Sequence, residues 1–369
     1  MKNHVLIIGG RGRIGSSVAK DLLQHTQATI TITGRSPEIN NFSAEERRHF
    51  LLLDLDDIDH LRKAISQSEL VIHCAGPFHY RNTRVLEICI HEGVNYIDVS
   101  DHRSYSQKAL QLNSQAIDAG VTAIINAGIF PGISNSLVRE GIEKFDLPEK
   151  IHLSYVVSGS GGAGITVMRT TFLGLQHTFK AWINNEWQTI KPYTERENID
   201  FPAPYYNHGV YWFDVPETMT LPISFPQVKT VITKFGSHPD FYNHLTWIAA
   251  HIFPKSLMQQ PNMMEFLSQI SLKMTDITNI FTGVGVAIRA EITGKINDQT
   301  AIYCVNLVHE NTAIAAGLGV GTIAKLLLEN QLKYPGVAPV EIVLPTKLFR
   351  QNMQQRNVTI DASWLKNPV

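Results

Sequence analysis

The stretch His4–Leu23, HVLIIGGRGRIGSSVAKDLL, decides the fold. An apolar run meets a knot of glycines and then a segment whose apolar residues recur at helical spacing, which predicts strand, turn and helix in succession. Gly10-Arg11-Gly12-Arg13-Ile14-Gly15 has the spacing G-x-G-x-x-G, with Gly9 in front. In this reading Gly10 permits the tight turn out of the strand. Gly12 lets backbone amides approach an anion with no Cβ in the way, and Gly15 lets the helix sit close to the sheet. The helix start adds unpaired N–H groups and a partial positive charge, so Gly10–Gly15 is predicted to hold the pyrophosphate of a dinucleotide. A merely tight turn is the alternative.

Outward from this unit the pattern repeats. ATITIT, FLLLD, ELVIHCA, NYIDV and TAIINA read as short buried strands, and RIGSSVAKDLLQH, DDIDHLRKAI, NTRVLEICIHEG and SYSQKALQLNSQAIDAG as helices between them. Such alternation predicts an α/β fold, a Rossmann-type doubly wound parallel sheet. After about Lys150 the texture changes. KIHLSYVVSGSGGAG reads as a strand ending in a flexible loop, TVMRTTFLGLQHTFKAWI as a helix, and the Pro- and aromatic-rich tract at 201–226 as a wall or lid, unless its Tyr205, Tyr206, Tyr211 and Trp212 simply fill a core or subunit contact. FYNHLTWIAAHIFPKSLM reads as buried helices. VGVAIRAEITGK and QTAIYCVNLVHE form an antiparallel pair through INDQ, and NTAIAAGLGVGTIAKLLLEN is a helix whose small residues allow close packing. The expected division is a dinucleotide-binding domain at 1–127, a mixed α/β substrate or dimerisation domain at 128–310, and a C-terminal helix and tail at 311–369 returning to the first domain.

The end of the second strand selects the dinucleotide. An NAD site places Asp or Glu there to accept from the ribose hydroxyls; this chain has Gly34, Arg35 and Ser36. A guanidinium can hold a 2′-phosphate bidentately, with a hydroxyl as a further donor, so NADP is favoured over NAD. A solvated loop charge is the blander account of Arg35. Asp54 and Leu55 border the adenine after strand three, unless Asp54 to Asp57 cap the next helix. Ala75, Gly76 and Pro77 follow strand four at the carboxyl edge, where open α/β sheets bind ligands.

Taken together, GGRGRIG, AGPF, EGVNYIDVSD, AGIFPGISNSLV and KYPGVAPVEIV, in this order, resemble the saccharopine dehydrogenase-like family, in the broad sense that includes saccharopine reductases and carboxynorspermidine-type enzymes. The resemblance implies a dinucleotide-binding domain, a mixed α/β substrate domain and a final Gly/Ala-rich helix packed on the first domain. It also implies NAD(P)-dependent interconversion of an imine and a secondary amine. Many members carry Tyr-x-Asp-x-Ser/Thr-Gly-Glu after strand five. Here Tyr96, Asp98 and Ser100 match, but Asp101 and His102 replace Gly and Glu. The departure leaves imine, amine and carbonyl substrates open, and beside them a non-catalytic NADP-binding redox sensor or accessory subunit.

Hydride transfer needs a proton donor or charge stabiliser beside the reacting carbon. His102, which titrates near neutrality, is the expected donor, with Asp98 and Tyr96 beside it as catalytic candidates. The blander readings are a surface histidine and a turn carboxylate. Asn135, Gly162, Thr166 and Arg169 are the candidate substrate contacts in a cleft between the domains, Arg169 as partner of a carboxylate unless it is a plain helix-surface charge.

Composition excludes other classes. A net charge of −1 over 369 residues gives no global field for nucleic acid. Three widely spaced cysteines, Cys74, Cys89 and Cys304, suggest neither a disulfide framework nor a metal site, and fit a reducing, cytoplasmic setting. The first strand starts too near Met1 for a secretory signal, and no apolar stretch is long enough to span a bilayer. The expected partner is a small-molecule substrate, and a mixed-sheet second domain makes a homodimer a reasonable expectation.

Overall fold

A computed structural model describes residues 3–36, 47–159, 164–254, 256 and 260–366. The chain divides into two compact units: residues 1–133 with 313–356, and residues 134–312 with 357–369.

The first unit is the Rossmann-type fold expected. Its strands are β1 (His4–Ile8), β2 (Thr29–Gly34), β3 (Arg48–Leu52), β4 (Leu70–His73), β5 (Asn95–Asp98), β6 (Thr122–Ile125) and β15 (Gly336–Pro339). They form one parallel sheet in the order β15-β6-β5-β4-β1-β2-β3. Val5 aligns with Ile30 on one side and Leu70 on the other, so the first strand is central and buried on both faces. That explains its continuous apolar run. The order reverses between β1 and β4, which makes the carboxyl ends of these two strands the topological switch point. Crossover helices α1 (Arg13–His25), α2 (Ile58–Ser66), α3 (Arg84–Glu92), α4 (Arg103–Leu110) and α5 (Asn113–Asp118) complete the unit's first pass. Asp57 caps α2 by accepting from the His60 amide at 3.1 Å.

The chain returns to this unit with α11 (Thr312–Leu328), β15, α12 (Val340–Val343) and α13 (Thr346–Gln355). The small residues of α11 have a measurable purpose. A Cβ on Gly317 would stand 2.5 Å from the Ser17 Cβ of α1, and one on Gly321 would lie 2.6 Å from Asp21 Cγ. Behind that contact Arg356 clasps Asp21 through two 2.8 Å bonds, both side chains being at most 1% exposed.

The second unit carries a seven-stranded mixed sheet, β10-β11-β12-β7-β13-β14-β16. β7 (Leu147–Ser158) runs parallel to β12 (Thr230–His238) and antiparallel to β13 (Val286–Ile296). The β13–β14 (Gln299–His309) hairpin turns at Asn297 and Asp298, both at positive φ, as a two-residue turn requires. β10 (Glu197–Asp200) and β11 (Asn207–Trp212) form one edge. The other is β16 (Ile360–Lys366), paired with β14, so the last residues join this unit and not the first. The helices are α6 (Ile133–Ile142), α7 (Ile165–Gly174), α8 (Glu217–Ser224), α9 (Phe241–His251) and α10 (Pro261–Thr282).

Three expectations change here. The helix read across 166–183 stops at Gly174, pressed against the Phe213 ring, and Phe179–Ile183 becomes β8, paired with β9 (Glu186–Ile190). The aromatic tract is core instead of lid: Tyr205, Tyr211 and Trp212 are buried, and Tyr193 stacks on Tyr211 at 4.5 Å. The helices after β12 are only half buried. α9 sinks Tyr242, Asn243 and Ala249 but leaves Phe241, Trp247 and Ile248 outside.

Candidate active site

The site is built at the carboxyl edge of the first sheet, where the loops after β1, β2, β3 and β4 meet. Gly9 has φ +77 and donates to Thr33 Oγ1 at 3.1 Å. A Cβ there would lie 2.8 Å from the Ala75 amide. The left-handed conformation therefore sits one residue before the position the motif suggests. Gly10 is needed for a different reason: its Cβ would fall 2.5 Å from the Ile32 side chain of β2. Gly15 packs its Cα face on Gly9, as close helix–sheet packing requires. Gly12, the N-cap of α1, is exposed, and a Cβ there would meet only Gly9 O, at 3.2 Å. This is the open cradle an anion needs, beside first-turn amides of Arg13, Ile14 and Gly15 that have no acceptor within their own helix.

Arg11 lies across Gly34. Its Nη1 donates to Ser36 O at 2.7 Å, and its guanidinium stands 5.8 Å from the Phe50 ring centroid. Arg35 is exposed and makes no hydrogen bond or ion pair with any described residue. It acts on another cation, Arg81, whose guanidinium is pulled below the ordinary arginine range by burial first and by Arg35 next. Asp54 and Asp56 offset this, and Arg81 Nε donates to Ala75 O at 2.8 Å. Asp54 is exposed and accepts from the Asp56 amide at 3.1 Å; Leu55 packs partly buried against the core. Ala75, Gly76 and Pro77 are half-buried, and Ala75 closes against the glycine turn at Gly9.

The sequence reading missed Arg81. Nothing in FHYRN marks it, because its place depends on three loops meeting. It adds a second guanidinium to the corner where a 2′-phosphate would sit. The residues present thus fit NADP: a Cβ-free cradle for the diphosphate, and Arg35 with Arg81 near it at the end of β2.

The proposed catalytic side chains are placed less evenly. Tyr96 is fully buried in the core, its hydroxyl 2.8 Å from that of Tyr105; burial holds its phenol protonated, and it does not reach the edge. Asp98 is also fully buried. Its Oδ1 accepts from the Ser100 and Asn126 amides at 3.0 and 2.9 Å, and its carboxyl is pushed up to about 6, chiefly by burial. Asn126 in turn donates to Ser100 O and Ser106 Oγ, both at 2.8 Å. This network clamps the ends of β5 and β6, and Asp98 acts in it as a positioning group.

His102, the N-cap residue of α4, is the half-buried member of the three. Its Nε2 lies 3.1 Å from Nδ1 of the exposed His79, and its Nδ1 3.3 Å from Ser104 Oγ. Burial, then the neighbouring His79, lowers it to about 4. At neutral pH the ring is uncharged, which corrects the expectation of a donor titrating near neutrality.

The proposed substrate contacts lie in the second unit. Asn135 is fully buried and accepts from Ser134 Oγ at 3.1 Å, which removes it from solvent. Thr166 stands in the first turn of α7 and is half-buried. Arg169 is clasped by Glu265 through two 2.7 Å bonds, so its fork is already engaged. Gly162 lies outside the described residues. Among the described residues no cluster of three His, Cys, Asp or Glu could hold a metal, and no helix is long and apolar enough to cross a membrane.

Residues 5–124 match the family model of the Saccharopine dehydrogenase NADP binding domain. The first domain is thus an NADP-binding domain of the saccharopine dehydrogenase type. Along its length it is similar to carboxynorspermidine synthase of Vibrio cholerae, with 23% identity covering 91% of each chain. A probable mitochondrial saccharopine dehydrogenase-like oxidoreductase of Arabidopsis thaliana is 25% identical over 28% of this chain and 26% of its own. The fold is also that of the L-Glu-forming saccharopine dehydrogenase of Saccharomyces cerevisiae, with a TM-score of 0.68 at 13% identity, covering 98% of this chain and 99% of that one.

Proposed function

We propose that this saccharopine dehydrogenase-like protein is an NADP-dependent oxidoreductase acting on a carbon–nitrogen bond, interconverting an imine and a secondary amine, with a carbonyl as the alternative acceptor. The observation that carries the cofactor reading is the end of β2, where exposed Arg35 follows Gly34 directly and stands close enough to Arg81 to act on its guanidinium. The nitrogen-containing substrate is favoured by similarity to a relative named for the synthesis of carboxynorspermidine.

NADPH, when bound, supplies the hydride. The chain's own residues do the rest. The amides of Arg13, Ile14 and Gly15 would hold the diphosphate. Arg35, Arg81 and the Ser36 hydroxyl would hold the 2′-phosphate, with Arg11 fixing the Ser36 loop through its carbonyl. Ala75, Gly76 and Pro77 would border the nicotinamide ribose. His102 would offer a hydrogen bond from a neutral ring, with His79 setting which nitrogen carries the proton. Asp98 holds the β5–β6 edge in register beneath it.

Titration with NADPH and NADH tests this. Losing charge-assisted bonds to one phosphate costs about 1.5–3 kcal/mol, so Arg35→Ala is expected to weaken NADPH binding by about 10- to 150-fold and leave NADH unchanged. Equal effects on both would refute the cofactor reading. NADPH oxidation in the presence of α-keto acids with primary amines, and of ketones, tests the reaction class. Tight NADPH binding with no turnover on any of them would favour the redox sensor or accessory subunit instead. That reading draws on the burial of Tyr96 and Asp98 away from solvent.

A further inference from the structure

His73 ends β4 and is 1% exposed. The residues before it, Val71 and Ile72, are wholly apolar core. A polar side chain at such a place needs a use, because a buried donor or acceptor left without a partner costs stability. That use is not at Nε2. Among the described residues this nitrogen has no hydrogen-bond partner, and neither has Oδ2 of Asp98, the residue aligned with His73 on β5.

The use is at Nδ1, which accepts from the Ala75 amide over a long 3.4 Å bond. An accepting Nδ1 places the ring's proton on Nε2, inside the core. Burial, then Arg81, lowers the ring to about 3, so it stays neutral and Nδ1 keeps its lone pair. The buried Phe78 ring stands edge-on at 5.0 Å and limits how the imidazole can turn. A hydrocarbon side chain would fill the same space with no stranded donor. What it could not offer is an acceptor for Ala75.

Ala75 is where the loop after β4 is fastened. Its carbonyl accepts from Arg81 Nε at 2.8 Å. Its backbone lies against Gly9, where a Cβ would come 2.8 Å from the Ala75 nitrogen and 2.9 Å from its Cα. The next amide, of Gly76, turns back to Cys74 O at 3.1 Å. One peptide group is thus gripped by His73, a second by Arg81, and the glycine turn after β1 backs both.

We propose that His73 is a positioning residue for the nicotinamide half of the cofactor, acting through the Ala75 amide to fix residues 75–77; this rests on the reading that those residues border the nicotinamide ribose. His73 touches no part of the cofactor itself, and the adenosine half, held after β1 and β2, does not depend on it.

Titration of the full chain with NADPH and with adenosine 2′,5′-bisphosphate, which lacks the nicotinamide half, tests this. His73→Leu is expected to weaken NADPH binding by about 2- to 10-fold, the worth of one hydrogen bond, and the bisphosphate by less than about twofold. His73→Asn, whose Oδ1 takes the place of Nδ1, is expected to restore NADPH affinity. Equal losses for the two ligands would mark a merely structural histidine and overturn the proposal. So would a His73→Leu chain that binds NADPH normally, or a His73→Asn chain as weak as His73→Leu. A long-range ¹H–¹⁵N NMR spectrum of the unaltered, histidine-labelled chain needs no variant: His73 is expected as the Nε2–H tautomer, and an Nδ1–H tautomer would overturn the proposal. Failure of the bisphosphate to bind the unaltered chain would instead overturn the cofactor reading, and this role of His73 with it.

Discussion

Gly321→Ala is ordinarily a stabilising change. A helical glycine replaced by alanine gains about 1 kcal/mol from propensity alone. In α11 the sign is expected to reverse, because the new Cβ would meet the Asp21 carboxylate, 2.6 Å from its Cγ. Asp21 cannot step aside cheaply. Both of its oxygens accept from Arg356 at 2.8 Å, in a site closed to water. Moving the carboxylate breaks a buried pair and leaves charge uncompensated, which costs about 3–5 kcal/mol when one partner is lost. Net of propensity, Gly321→Ala is expected to destabilise the first unit by about 2–4 kcal/mol. For a unit of this size each kcal/mol lowers the melting temperature by about 2–4 °C, so a fall of roughly 4–16 °C is expected in a thermal scan. The double-mutant cycle with Asp21→Ala is the sharper test. Asp21→Ala alone strands Arg356, but once Asp21 is gone the Cβ of Gly321→Ala has nothing to displace. The two losses are therefore strongly non-additive, by about 2 kcal/mol or more. A stabilised Gly321→Ala, or additive losses, would refute the reasoning.

Other outcomes follow from the same geometry. The Asp98 carboxyl sits at about 6 in the fold, above its ordinary range, so the fold favours its protonated form. Stability from this group is full below about pH 4 and is lost as the pH rises through about 6, amounting to about 3 kcal/mol. Asp98→Asn is expected to flatten that slope and to match or exceed the unaltered chain above about pH 7; parallel stability curves in urea titrations would contradict it. Arg81→Ala removes a guanidinium from the 2′-phosphate corner and the bond to Ala75 O, so NADPH affinity should fall about tenfold or more and NADH affinity less. Calorimetry with both cofactors checks this. Arg169→Ala breaks a half-exposed pair and is expected to cost under about 1 kcal/mol. It should also let the Glu265 carboxyl, held down to about 2 by Arg169, return toward its ordinary range in an NMR titration.

The first unit was legible because its information is local. Each strand of the parallel sheet carries its own apolar run, and the glycine spacing announces the turn without help from elsewhere. The cofactor choice was legible for the same reason: Gly34, Arg35 and Ser36 follow β2 directly. What stayed hidden depends on residues far apart in the chain. β15 adds to β6 from more than 200 positions downstream, pairing Gly336 with Thr122. Arg81 enters the site only because the loops after β2, β3 and β4 converge. Arg169 meets Glu265 from another helix, and Tyr96 turns into the core, its hydroxyl against that of Tyr105. No spacing rule reports which face a strand residue takes when both faces are buried.

The route of the chain through its two units has a practical corollary. The polypeptide passes between them three times, at 133/134, 312/313 and 356/357. A fragment cut at residue 133 would keep every residue of the NADP-binding match yet leave β6 without its β15 neighbour and α1 without its α11 cover. Bare strand edges invite foreign pairing. The nucleotide half of this protein is thus not a detachable cassette, and shortening the chain from its far end should cripple the module at its beginning.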